Sequence, residues 1–265
     1  MNKGSDCNPY GEELVRRLQL RTSPIAVKLI KSEEEIPEGA VRPLKDLGYH
    51  LALCQGFAMS RRQKATVAML KEDNWCYLPV IALGFAEPPD FFIEGNTFFE
   101  FSVGDLDAAR DLAANLPSLE SGKYIGVVSA PLGNTDFDYD MVVIYCNSSQ
   151  LKCLLAAMKY KDGCLVTSTL DPSGACFQCT VPVIKTGKCQ VTVPCGGDRA
   201  NALAQDDEMI FTVPKDKLDD LMYGVRHFDE KGFGYTHFAP NMRPEYPLFG
   251  NYIKAGKLVG LDVHE

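Results

Sequence analysis

Unbroken apolar runs set the strongest expectations along this 265-residue chain. YIGVVSAPL (124–132) and DMVVIYCN (140–147) are β-branched and lack polar alternation. That is the pattern of strands buried on both faces, and the two are expected as neighbouring central strands. SPIAVKLI (23–30), a short β-branched run, and KATVAMLKE (64–72) read as further strands. So do CLVTSTL (164–170), CQVTVP (189–194) and EMIFTVP (208–214). Elsewhere the spacing turns helical. Asn8 and Pro9 ahead of GEELVRRLQL supply a cap, a proline at the first position and acids in the first turn. In YHLALCQGFAMSRRQ, Leu51, Cys54 and Ala58 keep helical spacing, with Arg61 and Arg62 at the exit. DLDAARDLAANL (105–116) is rich in Ala and Leu. SSQLKCLLAAMKYKDG has serine to cap it and glycine to end it. KDKLDDLMYGVRHF follows Pro214, with acids early and Arg226 and His227 late. SEEEIPEGAVRP reads as an acidic surface loop, and the tail from PNMRPEYPLFGNY onward is proline-broken and aromatic.

Strands and helices alternate without a regular βαβ repeat, so the expected class is α+β, a mixed sheet with helices packed on it. No solenoid period is present. The length fits one compact domain over 1–265. A looser expectation is two similar halves, 1–120 and 121–265. Cys54 precedes Cys76 by 22 residues and Cys176 precedes Cys195 by 19, each pair with a strand between. The formal net charge of −8 argues against a nucleic-acid partner. No apolar run reaches the ~18 residues of a membrane span, and MNKGSDCNPYGEEL lacks the apolar centre of a signal peptide. A cytoplasmic protein is expected, and in a reducing compartment many cysteines mean metal binding, redox chemistry or packing more often than disulfides.

The chemistry concentrates in GACFQCTVPVIKTGKCQVTVPCGGDR (174–199), which holds four of the ten cysteines. Cys176 and Cys179 form a CxxC, a spacing that lets two sulfurs converge on one metal. Cys189 and Cys195 follow too loosely for a zinc ribbon or a bacterial ferredoxin motif. In CGGDR, Gly196 and Gly197 are free to take positive φ and turn N–H groups toward a sulfur, and Arg199 adds a fixed positive charge. Both would favour a Cys195 thiolate. A plain tight turn, with Asp198 capping a short helix, is the competing account.

PIAVKL near the start, CQ at 54, Cys76 before an LGF, Cys176 after small residues and CGGDR at 195 together resemble the "domain of unknown function 169" family over nearly the whole chain. The resemblance implies that Cys54, Cys76, Cys176 and Cys195 are the recurrent cysteines, with Cys179, Cys189 and the other four as extras of this sequence. It therefore favours a dispersed ligand set over the CxxC pair. It also implies proteins of anaerobic bacteria and archaea with no settled activity. Four dispersed thiols suit a soft metal, and an anaerobic setting tips zinc toward an iron–sulfur cluster.

The leading expectation is thus a cluster protein for electron transfer or small-ligand activation, working with a redox protein. Two others stand beside it: a metal-free thiolate enzyme using Cys195, and a zinc or small-anion binding module without catalysis. Cys146, Cys153 and Cys164 read as core, and Cys7 as a terminal thiol. His50, His227, His237 and His264 form no HxH or HExxH pattern, and no GxGxxG, P-loop or GxSxG occurs. The acids of FDYDM (137–141) read as a solvated loop. Arg61 and Arg62 are placed to meet an anionic ligand or an acidic partner.

Overall fold

A computed structural model describes residues 8–235 and 250–261 of the chain. Its strands are β1 (Ile25–Ile30), β2 (Val67–Leu70), β3 (Gly126–Pro131), β4 (Met141–Asn147), β5 (Gln190–Thr192) and β6 (Glu208–Pro214). They form one open sheet in the order β2-β3-β1-β4-β6-β5, antiparallel at every pairing. Helices α1 (Pro9–Leu18), α2 (Leu53–Ala58), α3 (Tyr77–Ala82), α4 (Asp90–Ile93), α5 (Leu106–Asn115) and α6 (Ser148–Asp162) accompany it. So do α7 (Ala175–Gln178), α8 (Val181–Thr186), α9 (Gly196–Ala202) and α10 (Leu218–Glu230); α11 (Gly250–Leu258) follows later in the chain. The class is α+β. The chain divides into a compact unit ending at Tyr235 and a short unit beyond it that contains α11.

The unbroken apolar runs have a simple cause. Successive side chains of a strand face opposite ways, and both faces of this sheet are covered. Val142, Ile144 and Cys146 of β4 pack with Leu14 and Leu18 of α1, Leu154 and Ala157 of α6, and Leu221 and Met222 of α10. Met141, Val143 and Tyr145 enter the opposite core with Leu53 and Phe57 of α2, Ala82 of α3, and Phe177 and Val181. Helices α6 and α10 approach so closely that a Cβ on Gly224 would lie 2.2 Å from the Ala157 carbonyl oxygen, so only glycine fits there.

Several expectations need correcting. β3 and β4 are interior strands but not neighbours, because β1 lies between them, pairing Ile25 with Pro131 on one side and with Val143 on the other. β3 likewise separates β1 from β2, so residues of the two suggested halves share one interleaved sheet. CLVTSTL is not a strand: residues 164–170 run as irregular chain. They attach to β5 through the Ser168 hydroxyl, which accepts from Val191 N–H, and through Gln190 Nε2, which donates to the Thr169 carbonyl. Cys164 is accordingly exposed rather than core. Asn147, not a serine, caps α6, its Oδ1 accepting from Gln150 N–H at 2.8 Å. Pro214 opens a short 3₁₀ turn before α10 begins at Leu218. Cys7, His237, His264 and most of the proline-broken tail lie outside the described residues.

Glu13 ties α1 to α10, accepting from Arg17 at 2.7 Å and from Arg226 at 2.5 Å. The Arg226 contact, aided by Arg17, lowers its pKa from 4.5 to about 2. A depressed carboxyl adds stability that is present above its unfolded pKa and lost as pH falls through the folded one. Glu13→Gln should therefore cost about 1–2 kcal/mol at pH 7, allowing for the solvent around Arg226. The deficit should shrink between pH 4.5 and about 2. Urea unfolding of both proteins across that range measures it, and a difference independent of pH would contradict the assignment.

Candidate functional site

Cys54, Cys76, Cys176 and Cys195, separated by up to 141 residues in sequence (195 − 54), line one cavity of about 600 Å³. Local structure brings each there. Leu51 and Asn74 make a parallel bridge, with Leu51 N–H donating to the Asp73 carbonyl and Trp75 N–H to that of Leu51. The start of α2, carrying Cys54, is thus held against Cys76 at the entry to α3. Gln55 reinforces the join: its Oε1 accepts from Ala52 N–H at 2.8 Å and from Trp75 Nε1 at 2.9 Å. Cys54 then packs with Ala52, Ala58 and Ala202 of α9, small side chains that let α2 and α9 approach, with Cys76 against the cluster.

On the other wall, Asp171 organises the approach to α7. Its Oδ1 accepts from the Ser173 amide and hydroxyl, and its Oδ2 from Gln178 Nε2 at 2.9 Å. Gly174 allows the turn, since a Cβ there would sit 2.0 Å from the Phe177 ring. Phe177 is fully buried, so the ring has no room to yield. This fixes Cys176 at the back of the cavity. Cys195 caps α9, its Sγ accepting from Asp198 N–H at 3.4 Å. Gly196 and Gly197 complete the wall, and Trp75, Tyr77 and Phe101 stand exposed around it.

The thiols feel one another. Burial pushes Cys176 well above the ordinary thiol range, and the charges of Cys54, Cys76, Cys195 and Cys179 add to the rise. Burial likewise raises Cys54, helped by Asp198, Cys195 and Cys76. It raises Cys76 too, with Cys195 adding to the effect. Backbone N–H groups oppose it, Gln55 at Cys54 and Leu78 at Cys76. At Cys195 the Asp198 amide is directed at the sulfur. Left to themselves Cys54, Cys76 and Cys176 stay protonated. A cation among them would reverse the balance, because coordination removes the proton and cancels the repulsion.

A buried polar chain lies beneath Cys195. The Tyr145 hydroxyl donates to Asp198 Oδ2 at 3.0 Å, and the Arg61 guanidinium stacks 3.8 Å over the Tyr145 ring. Arg61 in turn pairs with Glu208 at 3.2 Å, both side chains at most 2% exposed. Burial raises Asp198 to about 6, with the Tyr145 hydrogen bond and Arg61 opposing, and its Oδ1 has no hydrogen-bond partner among the described residues.

Gly196 and Gly197 line the cavity, but neither has positive φ. The chain passes directly from Cys195 into α9, and helical φ is negative. Arg199, expected beside the sulfur, points elsewhere: its Nη1 donates to the Gln205 carbonyl at 2.7 Å, and Asp198 is the residue that turns inward. Cys179 is buried behind Cys176, its S–H donating to the Cys176 carbonyl. Cys189 belongs to the core on the opposite face of the sheet, as do Cys146 and Cys153. Arg61, Tyr145 and Glu208 carried no sequence signal of a shared network. Among the described residues, no three His, Cys, Asp or Glu side chains are gathered closely enough to hold a metal ion, and no helix is long and apolar enough to cross a membrane.

An open antiparallel sheet, covered on both faces and presenting dispersed cysteines around one cavity, defines a thiol-lined α+β protein. The chain belongs to the DUF169 family, "Uncharacterised ArCR", whose model matches residues 13–224. It is similar to the uncharacterized protein MJ0308 of Methanocaldococcus jannaschii, at 26% identity over 220 residues, covering 82% of this chain and 92% of that protein. No solved structure matches it.

Proposed function

We propose that the cavity binds an iron–sulfur cluster through Cys54, Cys76, Cys176 and Cys195, in an anaerobic cytoplasm, for electron transfer or small-ligand activation. The observation that carries this reading is the meeting of four dispersed cysteines around one cavity, with the Asp198 amide directed at the Cys195 sulfur. Amide donors of this kind stabilise thiolate charge and tune the potential of a cluster. A single zinc asks for four donors each about 2.3 Å from one ion. The thiols here line a cavity of about 600 Å³, which leaves room for a polynuclear group.

A bound cluster would supply one-electron chemistry at the cavity wall. The chain's own part is to hold the thiolates, exclude bulk water with Phe177 and Leu78, and leave the Trp75 side open to a redox protein or small ligand. A metal-free thiolate enzyme using Cys195 has one observation in its favour, the Asp198 amide on a half-buried sulfur.

Anaerobic purification with iron, zinc and acid-labile sulfide analysis separates these readings. Iron and sulfide in comparable amounts, with visible charge-transfer absorption, are expected. Gly197→Val tests the location, because a Cβ there meets only Cys195 Sγ and Asn201 Nδ2, at 3.8 and 3.9 Å. The variant should fold, place its side chain against the cavity and retain less iron. Colourless protein without iron, whose Cys195 alone is rapidly alkylated, would transfer the function to the thiolate.

A further inference from the structure

We propose that a second cleft, remote from the cysteines in its lining, binds the phosphate or diphosphate group of a small metabolite. The cleft, of about 500 Å³, lies between α1, the Leu20–Ser23 segment, the turn at Arg61–Lys64 and the end of β3. That volume is within the range of small-molecule sites. Arg16, Arg21, Arg61, Arg62 and Lys64 line it against one carboxylate, Glu12. In a chain with 35 acidic and 27 basic side chains, so local an excess of cations runs against the overall balance.

The charges are unevenly spent. Arg61 is committed to Glu208, and Arg21 is bonded to Asp207. Arg16 and Lys64 are exposed and form no ion pair among the described residues. Among the described residues Arg62 bonds only a backbone carbonyl, that of Leu203 at 2.6 Å. Burial, and after it the neighbouring charge of Arg61, push Arg62 down from its ordinary value, with Glu208 opposing. Thr22, Ser23 and Asn134 add neutral hydrogen-bonding groups to the wall.

The wall is also firmly built. A Cβ on Gly11 would come 2.4 Å from Gly133 N, so α1 rests directly on the turn after β3. Ser23 N–H donates to the Arg61 carbonyl at 3.0 Å, fixing the opposite side. Guanidinium forks match phosphate oxygens two at a time, and lysine adds a point charge. A cleft of this size on a protein of net charge −8 suits a small anion better than a nucleic-acid strand.

Titration calorimetry of the full chain with inorganic pyrophosphate, at constant ionic strength, tests this. Saturable binding is expected. Arg16→Glu with Lys64→Glu, both exposed and outside the core, should weaken it about tenfold or more, since each change removes a cation from the cleft and adds an anion. Arg110→Glu, a similarly exposed change on α5, should leave it unchanged. Circular dichroism verifies that the variants fold, and Arg16→Ala alone, with a smaller loss, stands in for the pair if the pair does not. Absence of saturable binding, equal affinity in the cleft variants, or binding of citrate but not pyrophosphate overturns the proposal. None of these outcomes depends on what the cysteine cavity holds.

Discussion

Arg61→Met should lower the unfolding free energy by about 3–5 kcal/mol, the cost of stranding one partner of a buried ion pair. The Arg61 side chain is 1% exposed and that of Glu208 2%. Arg61 Nη1 reaches both Glu208 carboxylate oxygens, at 3.2 and 3.4 Å, while its Nη2 donates to the Ala202 carbonyl at 3.3 Å. Methionine can fill much of the same volume over the Tyr145 ring but leaves the Glu208 carboxylate with the Gln205 amide as its remaining donor. Such a loss is a large fraction of the ~5–15 kcal/mol that stabilises an ordinary domain. Removing the second charge as well, in Arg61→Met with Glu208→Gln, should restore much of it, so the pair will be coupled in a double-mutant cycle. Urea unfolding at pH 7 gives all four values. A single-variant loss under about 1 kcal/mol would mean that water reaches the pair and screens it.

What the sequence reveals and what it conceals follow from the same physics. β3, β4 and β6 are visible because both faces are covered, so no polar alternation interrupts them. Their partners are invisible. Nothing in YIGVVSA or DMVVIYC distinguishes pairing with each other from pairing with IAVKLI, and the ladder of Ile25 to both Pro131 and Val143 is a long-range fact. CLVTSTL has strand composition but makes no ladder, and β-propensity counts only where a pleated neighbour exists. At the site, the four cysteines that line the cavity are the four implied by family resemblance. Spacing alone pointed instead to the CxxC, whose Cys179 is behind the wall. In CGGDR, adjacent side chains leave a helix about 100° apart, so only one of Asp198 and Arg199 can face inward. The turn's composition does not say which. Arg61, Tyr145 and Asp198 meet from three distant segments, and no local pattern marks them.

The largest effect on function should come from Cys176. Cys176→Ser is expected to reduce iron and acid-labile sulfide in anaerobically purified protein by about tenfold or more, since even outer-shell changes around metal sites cost 10–100-fold. Serine keeps the size of the side chain but replaces a soft thiolate by a hydroxyl that is far harder to ionise and a poor partner for iron. The position is also the least forgiving of the four. Cys176 lies at the back of the cavity, where burial already opposes charge and the other three thiols add to it. Cys179→Ser is the matched control. Its sulfur is fully buried, three residues away, and bonded to the Cys176 carbonyl, so it tests packing at the same helix without removing a sulfur from the cavity. Cys54→Ser, Cys76→Ser and Cys195→Ser should follow Cys176→Ser, whereas Cys189→Ser, on the far side of the sheet, should follow Cys179→Ser. Equal losses in Cys176→Ser and Cys179→Ser, with Cys54→Ser unaffected, would restore the CxxC as the ligand pair. Full iron and sulfide in all four cavity variants would sink the cluster assignment itself.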